Sequence, residues 1–206
     1  MKQRSEEWFS ARLGKATASR INDVMAKLKN GGEAAGRKNY RAQLVVERLT
    51  GQPVDSYTNG AMMWGCEHED AARESYEFLT GNAVEEVGFI DHPTIPMCGC
   101  SPDGLIGEEG CIEIKCPNTA THIEWMLAGG APSEHINQMQ WQMECTGRKW
   151  CDFVSYDPRM PVELQLFTVR IDRDEKRIEE IRAEVVKLLA EVDDTVNQLL
   201  AKMEAA

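Results

Sequence analysis

Ser101-Pro102-Asp103-Gly104-Leu105-Ile106-Gly107-Glu108-Glu109-Gly110-Cys111-Ile112-Glu113-Ile114-Lys115 is the stretch on which the reading of the fold turns. Pro102-Asp103-Gly104 is strong turn chemistry: proline presets φ and glycine accepts positive φ. Phe89-Ile90-Asp91 and Met97 to Cys100 before it look extended, and Cys111 to Cys116 alternates and stops at Pro117. Strand side chains alternate faces, so Cys111, Glu113 and Lys115 share one face and Ile112 and Ile114 the other. A hairpin across Gly104–Gly110 brings Asp103 beside Glu113. Two carboxylates next to a lysine suit Mg²⁺ or Mn²⁺, which take oxygen ligands and keep several waters. That is equipment for metal-assisted hydrolysis of a phosphodiester, with the Ile114 carbonyl as an extra ligand and Lys115 positioning water or meeting phosphate charge. An ordinary Asp-Gly turn followed by a surface Glu/Lys strand gives the same short pattern.

Outward from the hairpin, the pattern is mixed α/β. Residues 5–13 read as a short helix. Thr17 or Ser19 is expected to cap a second, with Ile21, Val24, Met25 and Leu28 as its stripe, broken at Lys29-Asn30-Gly31-Gly32. Helices follow over 37–49, 61–79, 119–128 and 134–146, and strands over 84–91, 97–101, 111–116, 150–156 and 162–171. Residues 173–204 read as one long helix whose stripe is Ile178, Ile181, Val185, Leu188, Val192, Val196, Leu199 and Met203, expected to pack on its own domain. The expected fold is a central mixed β-sheet flanked by helices. It forms one domain over 1–206: a basic helical layer over 1–50, a core over 60–171 and a C-terminal amphipathic helix over 172–206.

The 206 residues suffice for one core. No apolar run approaches membrane-spanning length and the polar start is no secretory signal. Seven cysteines without a secreted-scaffold pattern read as reduced thiols in a cytoplasmic protein. Cys98, Cys100, Cys111 and Cys116 lack the spacing of a common zinc module and are expected to be core thiols. The net charge of −11 is uneven: residues 1–48 carry eleven Lys/Arg against five Asp/Glu, a balance of +6, and the rest balances to −17. A basic layer facing phosphate behind an acidic exterior is one reading, and a solvated helical surface is the other.

Four blocks, in order, resemble the lambda exonuclease and YqaJ-type viral recombinase family within the PD-(D/E)xK nuclease superfamily. They are Arg4-x-x-x-Trp8-x-x-x-Arg12-Leu13-Gly14-x-x-Thr17-Ala18-Ser19; Trp64-Gly65-x-x-x-Glu69-x-Ala71-x-Arg73; Ser101-Pro102-Asp103-Gly104 with Glu113 to Pro117; and Gln138-Met139-Gln140-Trp141-Gln142-Met143. The resemblance covers most of 4–157. It implies a restriction-endonuclease-like core and a Mg²⁺-dependent 5′→3′ exonuclease on linear double-stranded DNA, releasing 5′-mononucleotides and leaving a 3′ strand for phage-type recombination. It implies Asp103, Glu113 and Ile114 as the metal set, with Lys115, Gln138 and Glu69 completing the catalytic group, and Arg12, Thr17 and Ser19 as a 5′-phosphate pocket. It also implies a ring-shaped homotrimer, a single-strand annealing recombinase as partner, and a phage or prophage origin in a bacterial host. Gln140 and Gln142 are expected on the helix surface. Lys27, Lys29, Arg37 and Lys38, flanking the Gly-Gly loop, are candidate DNA contacts, and Met62 and Met63 are candidates for a wedge at the terminal base pair, with core packing the plainer role. The alternatives are a structure- or sequence-specific endonuclease, a DNA-end-binding module with a vestigial site, or an acidic adaptor.

Overall fold

The computed structural model describes residues 2–29, 32–54 and 60–205, apart from the side chains of Ala61 and Met62. The decisive hairpin forms where the sequence puts it: β4 (Gly104–Ile106) pairs antiparallel with β5 (Gly110–Lys115), with Gly104 opposite Ile112. β5 runs parallel to β6 (Trp150–Tyr156), and β6 antiparallel to β7 (Leu166–Asp172), giving the order β4-β5-β6-β7.

The sheet is not one continuous layer. A second, three-stranded sheet of order β1-β3-β2 is built from β1 (Ala16–Thr17), β2 (Ile90–Asp91) and β3 (Cys98–Cys100). The division falls at Ser101-Pro102, where proline has no N–H for a ladder. The strand expected over 84–91 shrinks to Ile90–Asp91 plus one bridge from Glu85 to Leu105. Just before that bridge, the Val84 N–H is taken at 2.6 Å by the Glu77 side chain instead of a strand. The strand expected from 162 begins at Leu166, because a 3₁₀ turn follows Pro161.

Helix α4 (Gly60–Thr80) covers one face of the four-stranded sheet, setting Ala72 and Tyr76 against Ile112, Ile114, Val154 and Tyr156. Helices α5 (Thr119–Ala128) and α6 (Ser133–Thr146) cover the other, where Met139, Met143 and Trp125 meet Cys111, Cys151 and Phe153. With both faces covered, β5 is buried on alternate sides and carries the aliphatic Ile112/Ile114 row and the Glu113 row back to back.

Helices α1 (Glu6–Arg12), α2 (Ile21–Met25) and α3 (Ala35–Thr50) precede that core, and α7 (Glu175–Glu204) closes it. α2 ends three residues before Leu28, which is exposed; the chain instead turns back through a Lys27–Glu33 bridge. Neither Thr17 nor Ser19 caps α2, since Arg20 holds that position and offers no side-chain cap. α7 packs Ile178, Ile181, Val185, Leu188 and Val192 fully into the core, as its stripe predicts, but Leu199 and Met203 emerge into solvent. Among the described residues no helix is long and apolar enough to cross a membrane.

The basic N-terminal layer is largely neutralised within the fold. Lys27 pairs with Glu184, Arg37 and Arg41 share Glu191, and Arg48 meets Asp193, all on α7. Arg4, Lys15 and Arg20 are paired as well. Arg37 is buried, so it is not an open DNA contact. Arg12, Lys29 and Lys38 keep no acidic partner among the described residues.

Candidate active site

The hairpin register delivers the two central carboxylates. Asp103 sits at the foot of β4, where its N–H donates to the Ile112 carbonyl at 3.2 Å and its Oδ2 accepts the Ile114 N–H at 2.6 Å. Glu113, 1% exposed, faces away from the Ile112/Ile114 row. One of its oxygens accepts Gln138 Nε2 at 2.6 Å and also the Lys115 ammonium, and the other accepts Gln142 Nε2 at 2.6 Å. Gln138 and Gln142 are four apart on α6, so one helix face presents both amides to the same carboxylate.

Glu69 comes from α4, on the opposite side, held by Arg4 at 2.6 Å and Arg73 at 3.4 Å. Arg4, Glu69, Asp103, Ile114, Lys115, Trp125 and His135 line a cleft of about 520 Å³. The structure thus brings Asp103, Glu113, Lys115, Gln138 and Glu69 to one place, with Ile114 on the cleft wall.

The charges in this cleft are strongly coupled. Burial pushes the Asp103 carboxyl well above the usual carboxylate range, and Glu113 and Glu69 push it further, against the pull of Lys115 and the Ile114 N–H. Burial works against the Lys115 ammonium, but Glu113 and then Asp103 outweigh it and raise its pKa. Lys115 is therefore a proton-bearing donor. A buried carboxyl destabilised as an anion by two other carboxylates is an environment that favours an added cation. Among the described residues no three His, Cys, Asp or Glu side chains converge as a ready metal cage. Asp103, Glu113 and the Ile114 carbonyl offer oxygen donors only, a set that would suit Mg²⁺ and lacks the nitrogen or sulfur ligands of a usual zinc site. The seven cysteines are free thiols.

A second cluster lies beside the hairpin. The Arg12 guanidinium stacks 3.9 Å from the Trp8 ring centroid and reaches Ser19 Oγ at 3.5 Å, and Thr17 Oγ1 is 3.3 Å from Ser19 Oγ. Trp8 Nε1 donates to Ser101 Oγ at 2.9 Å, tying this cluster to the residue two before Asp103. Lys27 is engaged with Glu184, and Lys29 is exposed. The Met62 side chain lies outside the described residues, while Met63 is exposed at 56% and not in the core.

Two glutamines depart from the sequence reading. Gln142 and Gln140, expected on the surface, are both buried. Gln142 holds Glu113. Gln140 donates to the Asp172 carbonyl and accepts the Asp174 N–H, both at 2.9 Å, joining α6 to the start of α7. The signal for Gln142 was its spacing of four from Gln138, on the same face. The clasp of Arg4 on Glu69 spans 65 residues and had no local signal.

The family model described as the YqaJ-like viral recombinase domain matches residues 7–149. Among solved structures, an alkaline exonuclease from Laribacter hongkongensis (LHK-Exo) is 53% identical, with a TM-score of 0.91 over 98% of this chain and 99% of that chain. The same figures hold for LHK-Exo in complex with dAMP. A phage-related exonuclease from Haemophilus somnus 129PT shares the fold at 17% identity, with a TM-score of 0.71 over 90% of this chain and 96% of that one. No curated protein matches the chain.

Proposed function

The chain belongs to the YqaJ-like viral recombinase domain family, and from that premise we propose that it is a Mg²⁺-dependent exonuclease that degrades linear double-stranded DNA 5′→3′ and releases 5′-mononucleotides. The observation that carries this reading is the convergence of Asp103, Glu113 and Lys115 on one hairpin, with Gln138 fixed to Glu113. The likeness to an alkaline exonuclease over nearly the whole chain supports the reaction class, and the dAMP in complex with that relative supports a nucleotide product.

Asp103, Glu113 and the Ile114 carbonyl are the residues that would hold Mg²⁺, which supplies a more acidic bound water and offsets charge on the phosphate. The remaining roles belong to the chain. Lys115, protonated, donates to a non-bridging phosphate oxygen and stabilises charge as it develops there. Gln138 and Gln142 hold the Glu113 carboxylate at a fixed angle, and Gln138 has a second amide donor for the attacking water. Glu69, clamped by Arg4 and Arg73, accepts a hydrogen bond from water in the cleft. Arg12, Thr17 and Ser19 form a pocket suited to a terminal 5′-phosphate, since a guanidinium with two hydroxyls offers charge and donors together. By the same resemblance, the working form is a homotrimer on DNA beside an annealing recombinase, as part of phage-type recombination; sedimentation would establish the subunit number.

The test uses linear duplex labelled at either end, with and without 5′-phosphate, next to a closed circle, in Mg²⁺ or EDTA. Mg²⁺-dependent release of the 5′ label as mononucleotide with the circle intact is the expected result. Cutting of the circle would replace the reading with an endonuclease, and DNA binding without cleavage would replace it with an end-binding module.

A further inference from the structure

The connection between β6 and β7 carries a clamped arginine that the catalytic group does not use. Asp157, fully buried, accepts Arg159 Nε at 2.7 Å on one oxygen and Nη2 at 3.0 Å on the other. Asp157 also accepts the Thr119 hydroxyl at 2.6 Å and the Arg159 N–H at 3.0 Å. The same Arg159 Nη2 donates to the Pro117 carbonyl at 3.2 Å. One face of the guanidinium lies 4.4 Å from the Trp64 ring centroid. Trp64 is in turn braced by the His68 ring, 3.9 Å away between centroids. Burial works against the Asp157 anion, but its bonds from Arg159 and Thr119 outweigh that and hold it at about 2, so the clamp keeps its charges at any working pH.

This leaves a rigid cation with one nitrogen, Nη1, and both its N–H donors unspent. Nη1 has no partner among the described residues, and the side chain is 45% exposed. A pure strut between Asp157 and Pro117 needs neither a stacked tryptophan nor an open nitrogen. Its place is also specific. Pro117 and Gly65 both line the catalytic cleft; Arg159 bonds the first, and Trp64 directly precedes the second. Pro117 is two residues beyond Lys115, so Arg159 stands at the rim where β5 leaves the site. In a chain of net charge −11 whose N-terminal cations are mostly paired, few guanidinium donors stay open beside the cleft.

We propose that Arg159, held over the Trp64 ring and fixed by Asp157, is a DNA-binding residue that donates through Nη1 to a backbone phosphate of the strand crossing the cleft rim. This rests on the nuclease reading above and names a strand contact outside the residues assigned there. An arginine already ordered by a buried carboxylate loses little freedom on meeting phosphate, and its planar fork fixes the direction of the two remaining Nη1 donors.

The test is equilibrium binding of the full chain to a fluorescent, 5′-phosphorylated duplex with a 3′ overhang, in EDTA, across a series of salt concentrations. Arg159→Gln is expected to weaken binding about 10- to 100-fold, the size of one charge-assisted hydrogen bond. It is also expected to reduce the slope of log affinity against log salt by about 0.7–0.9, the loss of one phosphate contact. Arg159→Lys keeps a charge, which Asp157 will retain, but cannot fill the Nη1 position, and is expected to lose affinity with little change in slope. Unchanged affinity and slope in Arg159→Gln overturns the proposal, as does a lowered melting temperature with wild-type DNA binding, because that is the signature of a strut. If Arg159→Gln does not fold, Arg159→Lys decides: weakened binding at wild-type stability supports the contact and wild-type binding overturns it. Wild-type protein in the same titration separates the two readings, since no DNA binding there removes the nuclease itself, whereas normal wild-type binding with a silent Arg159 variant removes only this contact.

Discussion

Gln142 Nε2 donates to Glu113 Oε2 at 2.6 Å in a place closed to solvent on both sides, Gln142 being 0% and Glu113 1% exposed. The other end of the amide meets only a weak donor, its Oε1 accepting the Cys151 thiol at 4.0 Å. Gln142→Leu keeps the volume but leaves a buried carboxylate oxygen without its donor. The expected cost is about 1–3 kcal/mol, a fall of roughly 2–4 °C in melting temperature per kcal/mol for a chain of this size. Nuclease rate should fall about 10- to 100-fold, the usual scale for losing a partner that orients a ligand carboxylate. Gln142→Glu sets a like charge against Glu113 and should be worse on both counts. Wild-type rates in Gln142→Leu would sever this residue from the site.

Asp103 makes the metal-free protein sensitive to alkali. Its folded pKa is raised above the unfolded value, so the associated stability is present below the unfolded carboxylate range and is lost as pH rises through the folded pKa. Asp103→Asn removes that titration while keeping an oxygen for the Ile114 N–H. In EDTA near neutral pH, Asp103→Asn should therefore melt above the wild type, and the gap should close as pH falls below about 4. Its nuclease rate should drop by more than about 10²-fold. A lower melting temperature at neutral pH would contradict the assigned electrostatics.

Addition of Mg²⁺ should raise the melting temperature of the wild type in proportion to the logarithm of its concentration, because an ion that binds only the folded state adds about 1.4 kcal/mol for each tenfold excess over its dissociation constant. Glu113→Gln and Asp103→Asn should lose this response, and Lys115→Ala should keep it while losing turnover. An equal Mg²⁺ shift in all four proteins would place the ion elsewhere.

Arg12 tests direction of attack. Arg12→Ala removes the guanidinium stacked on Trp8 near Ser19. Preference for a 5′-phosphate over a 5′-hydroxyl end should shrink about 10- to 100-fold, with the hydroxyl substrate almost unaffected. Equal slowing on both ends would show a packing role instead.

Truncation of α7 has two regimes. Removing residues 173–206 strips Ile178, Ile181, Val185, Leu188 and Val192 from the core, all fully buried. At about 2–5 kcal/mol each, this exceeds the whole stability of an ordinary domain, so no soluble folded protein is expected. Ending the chain after Asn197 removes mainly exposed residues and should cost a few degrees of melting temperature at most. Circular dichroism melts of the two truncations check both.

What the sequence carried and what it withheld follow from range. The β4–β5 hairpin, its turn and the faces of Glu113 and Ile114 depend on neighbours and on strand alternation, so they were legible. The α7 stripe was legible wherever packing followed the repeat, and it failed at Leu199 and Met203, where the helix outruns the body it packs on. The split of the sheet at Ser101-Pro102 is signalled by Pro102, whose missing N–H ends a ladder as well as favouring a turn. The position of Gln142 was hidden because composition assigns glutamine to surfaces, whereas a buried carboxylate 29 residues earlier, on the strand that α6 covers, reverses that preference. The basic N-terminal segment showed its charge but not its partners, which lie about 150 residues downstream on α7.

Asp103 and Glu113 stand on the two arms of one hairpin, joined by an exposed tip at Glu108 and Glu109. Their separation is set by the rung between Gly104 and Ile112, not by the length of the tip. Insertions at the tip should therefore be silent in evolution and open to grafting of foreign peptides. A single residue added between Gly104 and Ile106 would shift β4 against β5 by one rung, tilting Asp103 out of phase with Glu113. The reaction centre is thus tolerant to change in length and intolerant to change in parity.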